Sequence, residues 1–167
     1  MKVCVVGLGY IGFPTACLVA QAGHHVIGVD VNSDIITRLN NGGLHIVNEN
    51  GLSDVAQQAF SSGRLKVAQQ PEPADVFILA VPTPYEKDNS AAPLCAEEAG
   101  GVAASVEKVP GEYRADLSFV DKASRGVASL LKVGDLIILE STVSPGTTSG
   151  LVRSILEEAT GLSCGRD

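Results

Sequence analysis

Tryptophan is absent from this sequence, methionine occurs once, and aromatic residues make up only 4% of it, so an aliphatic core is expected. Basic residues are also few. The 12 Lys and Arg stand against 19 Asp and Glu, a net charge of −7, which excludes the basic stripe that nucleic-acid binding requires. No apolar run approaches the roughly 18 residues of a membrane-spanning helix, and the start has no signal-peptide pattern. These absences predict a cytoplasmic protein with neither a nucleic-acid nor a membrane partner.

The cysteines and histidines show no ligand-like spacing. The cysteines are Cys4, Cys17, Cys95 and Cys164, and the histidines are His24, His25 and His45. No CxxC pair occurs, so we expect neither a metal site nor a compact disulfide framework. Cys4 and Cys17 stand in apolar stretches, which predicts buried thiols that pack as small hydrophobic side chains. None of the histidines has a matched carboxylate, and we interpret them as solvated or structural.

What the sequence does contain is glycine, with 18 residues, and short apolar runs that alternate with helical periodicity. Strands are predicted over residues 2–6, 25–31, 65–68, 76–81 and 136–139, the last two as buried strands. Helices are predicted over residues 11–22, 33–40, 52–60, 116–131 and 147–159, with Asn32 and Asp116 as N-caps. This alternation is typical of a parallel sheet covered by helices on both faces. We therefore predict one α/β domain over residues 1–167, a doubly wound, three-layer α/β/α fold of the Rossmann type.

One stretch breaks the alternation. Residues 85–115 are rich in Ala, Gly, Glu and Pro and have weak periodicity. We interpret residues 86–114 as an insertion that holds a short helix over residues 96–106. A connection of this length between a strand and its helix is uncommon in a compact domain and is either functional or mobile.

The clearest motif is GLGYIG at residues 7–12, a GxGxxG. It follows the first predicted strand and opens the first helix, which is the context that a dinucleotide-binding turn requires. In such a turn Gly7 allows the bend, Gly9 lets the backbone approach a pyrophosphate, and Gly12 lets helix and strand pack closely. The N–H groups at the helix start favour an anion. A Gly-rich turn without a ligand is the alternative interpretation.

Asp30 stands at the end of the second predicted strand. A carboxylate at that position can accept hydrogen bonds from the adenosine ribose hydroxyls and repels a 2′-phosphate, so NAD is favoured over NADP. The alternative is a carboxylate that only caps a turn.

Two further strand ends carry hydroxyl side chains. Val81 and Thr83 stand where the fourth strand ends, and Ser141 and Thr142 stand just after the fifth. Ligands of open α/β sheets bind beyond the carboxyl ends of the strands. Thr83 and Thr142 are therefore predicted to lie near the nicotinamide half of a dinucleotide, with local capping as the alternative.

Together these segments resemble the N-terminal NAD-binding domain of the UDP-glucose/GDP-mannose dehydrogenase family. The resemblance is carried by VVGLGYIGFPT at residues 5–15, GVDVN at 28–32, AVPTP at 80–84 and LESTVSPGTT at 139–148. His45 and Ile46 with Leu52, and Glu140 before the Ser-Thr pair, are most similar to the branch that oxidises UDP-N-acetylhexosamines, the UDP-N-acetylmannosamine enzymes foremost.

The resemblance implies an NAD-dependent oxidoreductase of nucleotide-sugar metabolism and polysaccharide biosynthesis. Members oxidise the C6 alcohol of the sugar to a carboxylate and reduce two NAD, through a thiohemiacetal and a thioester on a cysteine. The implied cofactor-binding residues are Gly7, Gly9, Tyr10, Ile11, Gly12, Asp30, Val81, Thr83, Ser141 and Thr142. Tyr10 and Ile11 would contact the pyrophosphate through their backbone, and Thr142 would also help to position the water of thioester hydrolysis.

The sequence departs from the family in its length. Members are more than twice as long, and their sixth strand, catalytic Lys and Asn, Gly-Gly-x-Cys motif, and substrate-binding and dimerisation domains have no counterpart here. We therefore expect a truncated product that lacks the nucleophilic cysteine, is inactive alone and self-associates through an unpaired sheet edge and its interdomain surface. The alternatives are a stand-alone dinucleotide-binding or regulatory module, and another dehydrogenase class such as a 3-hydroxyacid enzyme, which the PTP and EST segments disfavour.

Overall fold

A computed structural model describes residues 1–47, 49–87 and 113–167. The strands are β1 (Lys2–Val6), β2 (His25–Val29), β3 (Leu65–Ala68), β4 (Val76–Leu79), β5 (Tyr85–Lys87), β6 (Tyr113–Ala115) and β7 (Leu136–Leu139). Five of them form a wholly parallel sheet in the order β3-β2-β1-β4-β7. The helices are α1 (Gly12–Gln21), α2 (Ser33–Asn40), α3 (Leu52–Ser61), α4 (Ser118–Ala128) and α5 (Arg153–Thr160), with a π-helical turn over Thr148–Val152.

Helices cover both faces of the sheet. Alternate residues of its central strand therefore point into two different hydrophobic cores, one on each face. Val3 and Val5 of β1 pack into a cluster with residues of α1, α2 and α3, whereas Cys4 packs into a second cluster with residues of α4 and α5. Phe13 and Phe77 are the largest fully buried side chains, one in each cluster. The predicted three-layer Rossmann-type fold, with five strands in the described sheet, is confirmed.

Several predicted boundaries are wrong. The strands predicted over 25–31 and 76–81 end at Val29 and Leu79, because a turn held by an Asp30 carboxylate oxygen follows β2 and a proline without an N–H soon follows β4. The helix predicted over 116–131 is Ser118–Ala128. Asp116 accepts a hydrogen bond from the N–H of Ser118 at 2.8 Å, and so caps the turn just before the helix. The helix predicted over 147–159 begins with the π-helical turn.

The stretch interpreted as an insertion has paired ends. Strands β5 and β6 form an antiparallel pair, with Tyr85 opposite Ala115, and this pair was not predicted. The extended ends pair because the backbone N–H and C=O groups of two neighbouring segments can satisfy one another. The helix predicted over 96–106 lies outside the described residues.

Strand β7 was predicted to be buried, and this is wrong. Leu136 and Ile138 are 53% and 40% exposed, because β7 is an edge strand and no described helix covers the side of it on which they lie. Four consecutive apolar residues predict a strand, but they do not show whether a neighbour covers it.

The prediction for two of the cysteines is confirmed. Cys4 and Cys17 are fully buried, and burial raises the pKa of the Cys4 thiol to about 11 and that of Cys17 to about 12. Among the described residues no group of His, Cys, Asp and Glu could hold a metal ion. Over the same ranges, no helix has both the length and the apolar character to cross a bilayer.

Candidate functional site

The turn between β1 and α1 is fixed by two glycines. Gly7 has a φ of +95°, and a Cβ there would lie 2.5 Å from the carbonyl oxygen of Ala80. At Gly12 a Cβ would collide with the carbonyl oxygen of Gly7. The backbone of this turn can therefore follow its path only with glycine at both positions.

Three successive backbone N–H groups in this turn have no acceptor in the described parts of the chain; they belong to Gly9, Tyr10 and Ile11. Tyr10 and Ile11 are 69% and 58% exposed. A Cβ on Gly9 would meet nothing within 4 Å, so open space lies in front of its backbone. Unsatisfied N–H groups at a helix N-terminus that face open space can bind an anionic group.

Asp30 lies at the end of β2 and connects two segments. Its Oδ2 accepts a hydrogen bond from the N–H of Leu8 at 2.9 Å, and its Oδ1 accepts one from the N–H of Asn32 at 2.9 Å. The carboxylate therefore does cap a turn. An ionised carboxylate has about four lone-pair sites, so both oxygens can still accept hydroxyl hydrogen bonds from a ligand.

His45 contacts the same turn, which the sequence did not predict. Its Nε2 lies 2.6 Å from the carbonyl oxygen of Leu8. Because a carbonyl only accepts, Nε2 is the protonated nitrogen. The ring packs edge-on against Phe13 at a centroid distance of 5.2 Å. His45 is thus structural, as interpreted, but the structure that it supports is the glycine-rich turn.

The ends of β4 and β7 are joined by side-chain hydrogen bonds. Thr83 Oγ1 donates to the carbonyl oxygen of Thr142 at 2.7 Å, and Ser141 Oγ donates to the carbonyl oxygen of Val81 at 2.7 Å. The structure therefore brings together all four residues predicted from these strand ends. The Thr142 side chain is exposed, and its hydroxyl has no partner in the described ranges.

One hydrogen bond links these two strand ends to helix α1. Thr15 Oγ1 donates to Glu140 Oε1 at 3.0 Å, across 125 positions of sequence. Glu140 directly follows β7, and its own N–H donates to the carbonyl oxygen of Leu79 at 2.9 Å. The motifs contained both residues, but nothing in the sequence indicated that they meet.

The site thus joins an open anion-binding turn, a carboxylate at the end of the next strand, and hydroxyl groups at the ends of β4 and β7. Residues 1–166 match the UDP-glucose/GDP-mannose dehydrogenase family, NAD binding domain. The chain belongs to this family. NAD is accordingly the cofactor of this NAD-binding domain.

Individual relatives agree with this assignment. The chain is 40% identical over 97% of its length to the UDP-N-acetyl-D-mannosamine dehydrogenase of Campylobacter jejuni, and covers 34% of that protein. It is 42% identical over 89% of its length to the NDP-N-acetyl-D-galactosaminuronic acid dehydrogenase of Ralstonia nicotianae, and covers 29% of it. The solved UDP-N-acetyl-mannosamine dehydrogenase of Staphylococcus aureus superimposes with a TM-score of 0.80 at 38% identity, over 100% of this chain and 35% of that one. The chain thus spans about a third of the length of the relatives that it matches.

Proposed function

We propose that this chain is the cofactor-binding part of an NAD-dependent oxidoreductase that oxidises the C6 alcohol of a UDP-sugar to a carboxylate, with reduction of two NAD. UDP-N-acetylmannosamine is the favoured substrate and UDP-glucose the alternative. The proposal is supported by family membership and by relatives named for UDP-N-acetyl-D-mannosamine. A product of this kind would serve polysaccharide biosynthesis.

The observation that carries the cofactor-binding role is the row of free N–H groups at Gly9, Tyr10 and Ile11 beside an open space. We propose that they bind the pyrophosphate, with Gly7 and Gly12 fixing the turn. Asp30, held against the turn through the N–H of Leu8, would accept the ribose hydroxyls and repel a 2′-phosphate.

The nicotinamide half would lie at the ends of β4 and β7, where Val81, Thr83, Ser141 and Thr142 are tied together. When bound there, NAD supplies the hydride acceptor for alcohol oxidation. The hydrogen bonds hold the two strand ends in one arrangement, and so fix the backbone that carries the exposed Thr142 hydroxyl. We propose that this hydroxyl orients the water used in hydrolysis.

No described cysteine suits the covalent step, and we propose that the chain alone does not catalyse oxidation. Cys4 and Cys17 are buried, and burial raises the pKa of their thiols to about 11 and about 12, so little thiolate forms at neutral pH. Cys164 lines a cavity of about 500 Å³ beside α5, away from the turn. Cys95 lies outside the described residues.

We further propose that two copies associate through β7. The outer edge of this strand pairs with no described strand, and Leu136 and Ile138 are exposed on the sheet face next to that edge. An edge of this kind can pair with a second copy of itself. Sedimentation velocity should show a dimer that Ile138→Lys dissociates, and a concentration-independent monomer for the unsubstituted chain would contradict it.

A cytoplasmic location is proposed from the free thiols of Cys4, Cys17 and Cys164.

Calorimetric titration with NAD tests the cofactor-binding role. We expect NAD to bind, Asp30→Ala to weaken binding by about tenfold, and NADP to bind less tightly than NAD to the unsubstituted chain. Asp34→Ala is the matched control, because Asp34 is an exposed carboxylate in the first turn of α2. A folded chain that binds no NAD, or that Asp30→Ala and Asp34→Ala affect equally, would overturn the proposal.

A further inference from the structure

Glu140 reaches with its side chain from the ends of β4 and β7 to helix α1, which follows the glycine-rich turn. Its backbone is fixed at the end of β4, because its N–H donates to the carbonyl oxygen of Leu79 at 2.9 Å. Its carboxylate is fixed at helix α1, because Oε1 accepts a hydrogen bond from Thr15 Oγ1 at 3.0 Å. The side chain therefore spans from the end of β7, past β4, to the helix that carries the glycine-rich turn. A ligand that extends from that turn toward the ends of β4 and β7 passes beside this carboxylate.

The charge of Glu140 is not compensated within the described ranges. No Lys, Arg or His there forms an ion pair with it, whereas Glu72 and Asp75, at the amino ends of the strands, each have a lysine partner. The hydroxyl of Thr15 orients one carboxylate oxygen but brings no positive charge. The second oxygen, Oε2, accepts no hydrogen bond from any described group.

We propose that Glu140 is a specificity-determining residue that favours the oxidised cofactor over the reduced one. This inference rests on the proposed function, in which the nicotinamide lies at the ends of β4 and β7. The nicotinamide ring carries a positive charge in NAD⁺ and none in NADH. A fixed carboxylate beside the ring attracts the first form and gains no such attraction from the second.

The size of the effect follows from exposure. Glu140 is exposed, and pairs of exposed charges interact weakly because water screens them. We expect the preference for NAD⁺ to correspond to about a two- to fivefold ratio of dissociation constants. Thr15 contributes as a positioning residue, since without its hydroxyl the carboxylate can turn away from the ring.

Parallel titrations of the chain with NAD⁺, NADH and ADP-ribose test the proposal. ADP-ribose has the same pyrophosphate and ribose groups but no nicotinamide. In Glu140→Gln, the affinity for NAD⁺ should fall about two- to fivefold relative to that for NADH, and the affinity for ADP-ribose should not change. Thr15→Val should also lower the affinity for NAD⁺ relative to that for NADH, but by a smaller factor.

Glu158→Gln is the control for a change of net charge. Glu158 is an exposed residue of α5, which packs on the opposite face of the sheet from α1, so this variant should leave all three affinities unchanged. If Glu140→Gln lowers the affinities for NAD⁺ and NADH by the same factor, Glu140 only joins β7 to α1 and the inference is wrong. If the folded, unsubstituted chain binds neither NAD⁺ nor ADP-ribose, the proposed function itself fails.

Discussion

The two ends of the parallel sheet differ in whether their charged and polar groups have partners within the protein. At the amino ends of the strands, charges are paired with one another. Lys2 Nζ lies 2.7 Å from Glu72 Oε2, and the N–H of Lys2 donates to Asp75 Oδ2 at 2.8 Å. Lys132 Nζ extends the cluster to Asp135 Oδ1 at 2.7 Å and to Asp75 Oδ1 at 3.4 Å.

At the carboxyl ends, Asp30, Thr83 and Ser141 have hydrogen-bond partners, but several other polar groups in the described part of the chain do not. The N–H groups of Gly9, Tyr10 and Ile11 have no acceptor, and Glu140 has no cation, within the described ranges. Solvent-facing polar groups that have no partner within the protein are available to a ligand. One end of the sheet is therefore arranged for stability and the other for binding, so substitutions at the two ends should change different measured quantities.

The largest effect, on the free energy of unfolding, is expected at Gly12, where the start of α1 packs closely against Gly7 and Ala80. Gly12→Ala places a Cβ against the carbonyl oxygen of Gly7 and within 3.0 Å of the Ala80 Cβ. Since the clash is with backbone that cannot move aside cheaply, the free energy of unfolding should fall by about 2–4 kcal/mol. Urea denaturation followed by circular dichroism measures this.

Gly126→Ala is the matched control for Gly12→Ala. Gly126 lies in α4, where a Cβ would meet nothing within 4 Å. Alanine should therefore raise helix stability by about 0.5–1 kcal/mol. Equal unfolding midpoints for the Gly12 variant and the unsubstituted chain would show that the turn adjusts to a side chain.

The next effect separates binding from stability at Gly9. Gly9→Ala adds a methyl group that meets no atom of the protein within 4 Å and does not require a positive φ. The free energy of unfolding should change by less than about 0.5 kcal/mol. The methyl group would occupy the space in front of the free N–H groups, so the affinity for NAD should fall by at least about tenfold. A loss of stability without a loss of affinity would place the ligand elsewhere.

The sequence was sufficient for the fold and for the parts of the site that lie within short motifs. The glycine-rich turn and Asp30 belong to one β-α-β unit, so local spacing determines their arrangement. The Thr83 and Thr142 segments come together because strand ends of a parallel sheet meet at one edge.

The features that sequence reasoning missed depend on packing between distant residues. The contact of His45 with Leu8 spans 37 positions and that of Thr15 with Glu140 spans 125. Neither follows from a periodicity or a motif. The exposure of β7 was missed for the same reason, because it depends on which elements lie next to the strand rather than on the four apolar residues within it.

The smallest effect is expected at the amino ends, and it depends on pH. A side-chain hydrogen bond from Lys2 lowers the pKa of the Glu72 carboxyl, and a hydrogen bond from the Lys2 backbone N–H lowers that of Asp75. Since both pKa values are lower in the folded state than in the unfolded state, the stabilisation is present above the unfolded values and is lost as pH falls through the folded ones.

Scanning calorimetry should accordingly show a melting temperature that is steady near neutral pH and declines as pH falls below the ordinary pKa values of these carboxyls, 4.5 for Glu72 and 3.8 for Asp75. Asp75→Asn should reduce the slope of this decline, because one of the two carboxyls no longer titrates, and it should leave the affinity for NAD at neutral pH unchanged. Since the Asp75 side chain lies at the amino end, a change in NAD affinity in this variant would mean that the two ends are coupled through β4. The separation of stability and binding between the ends of the sheet would then be wrong.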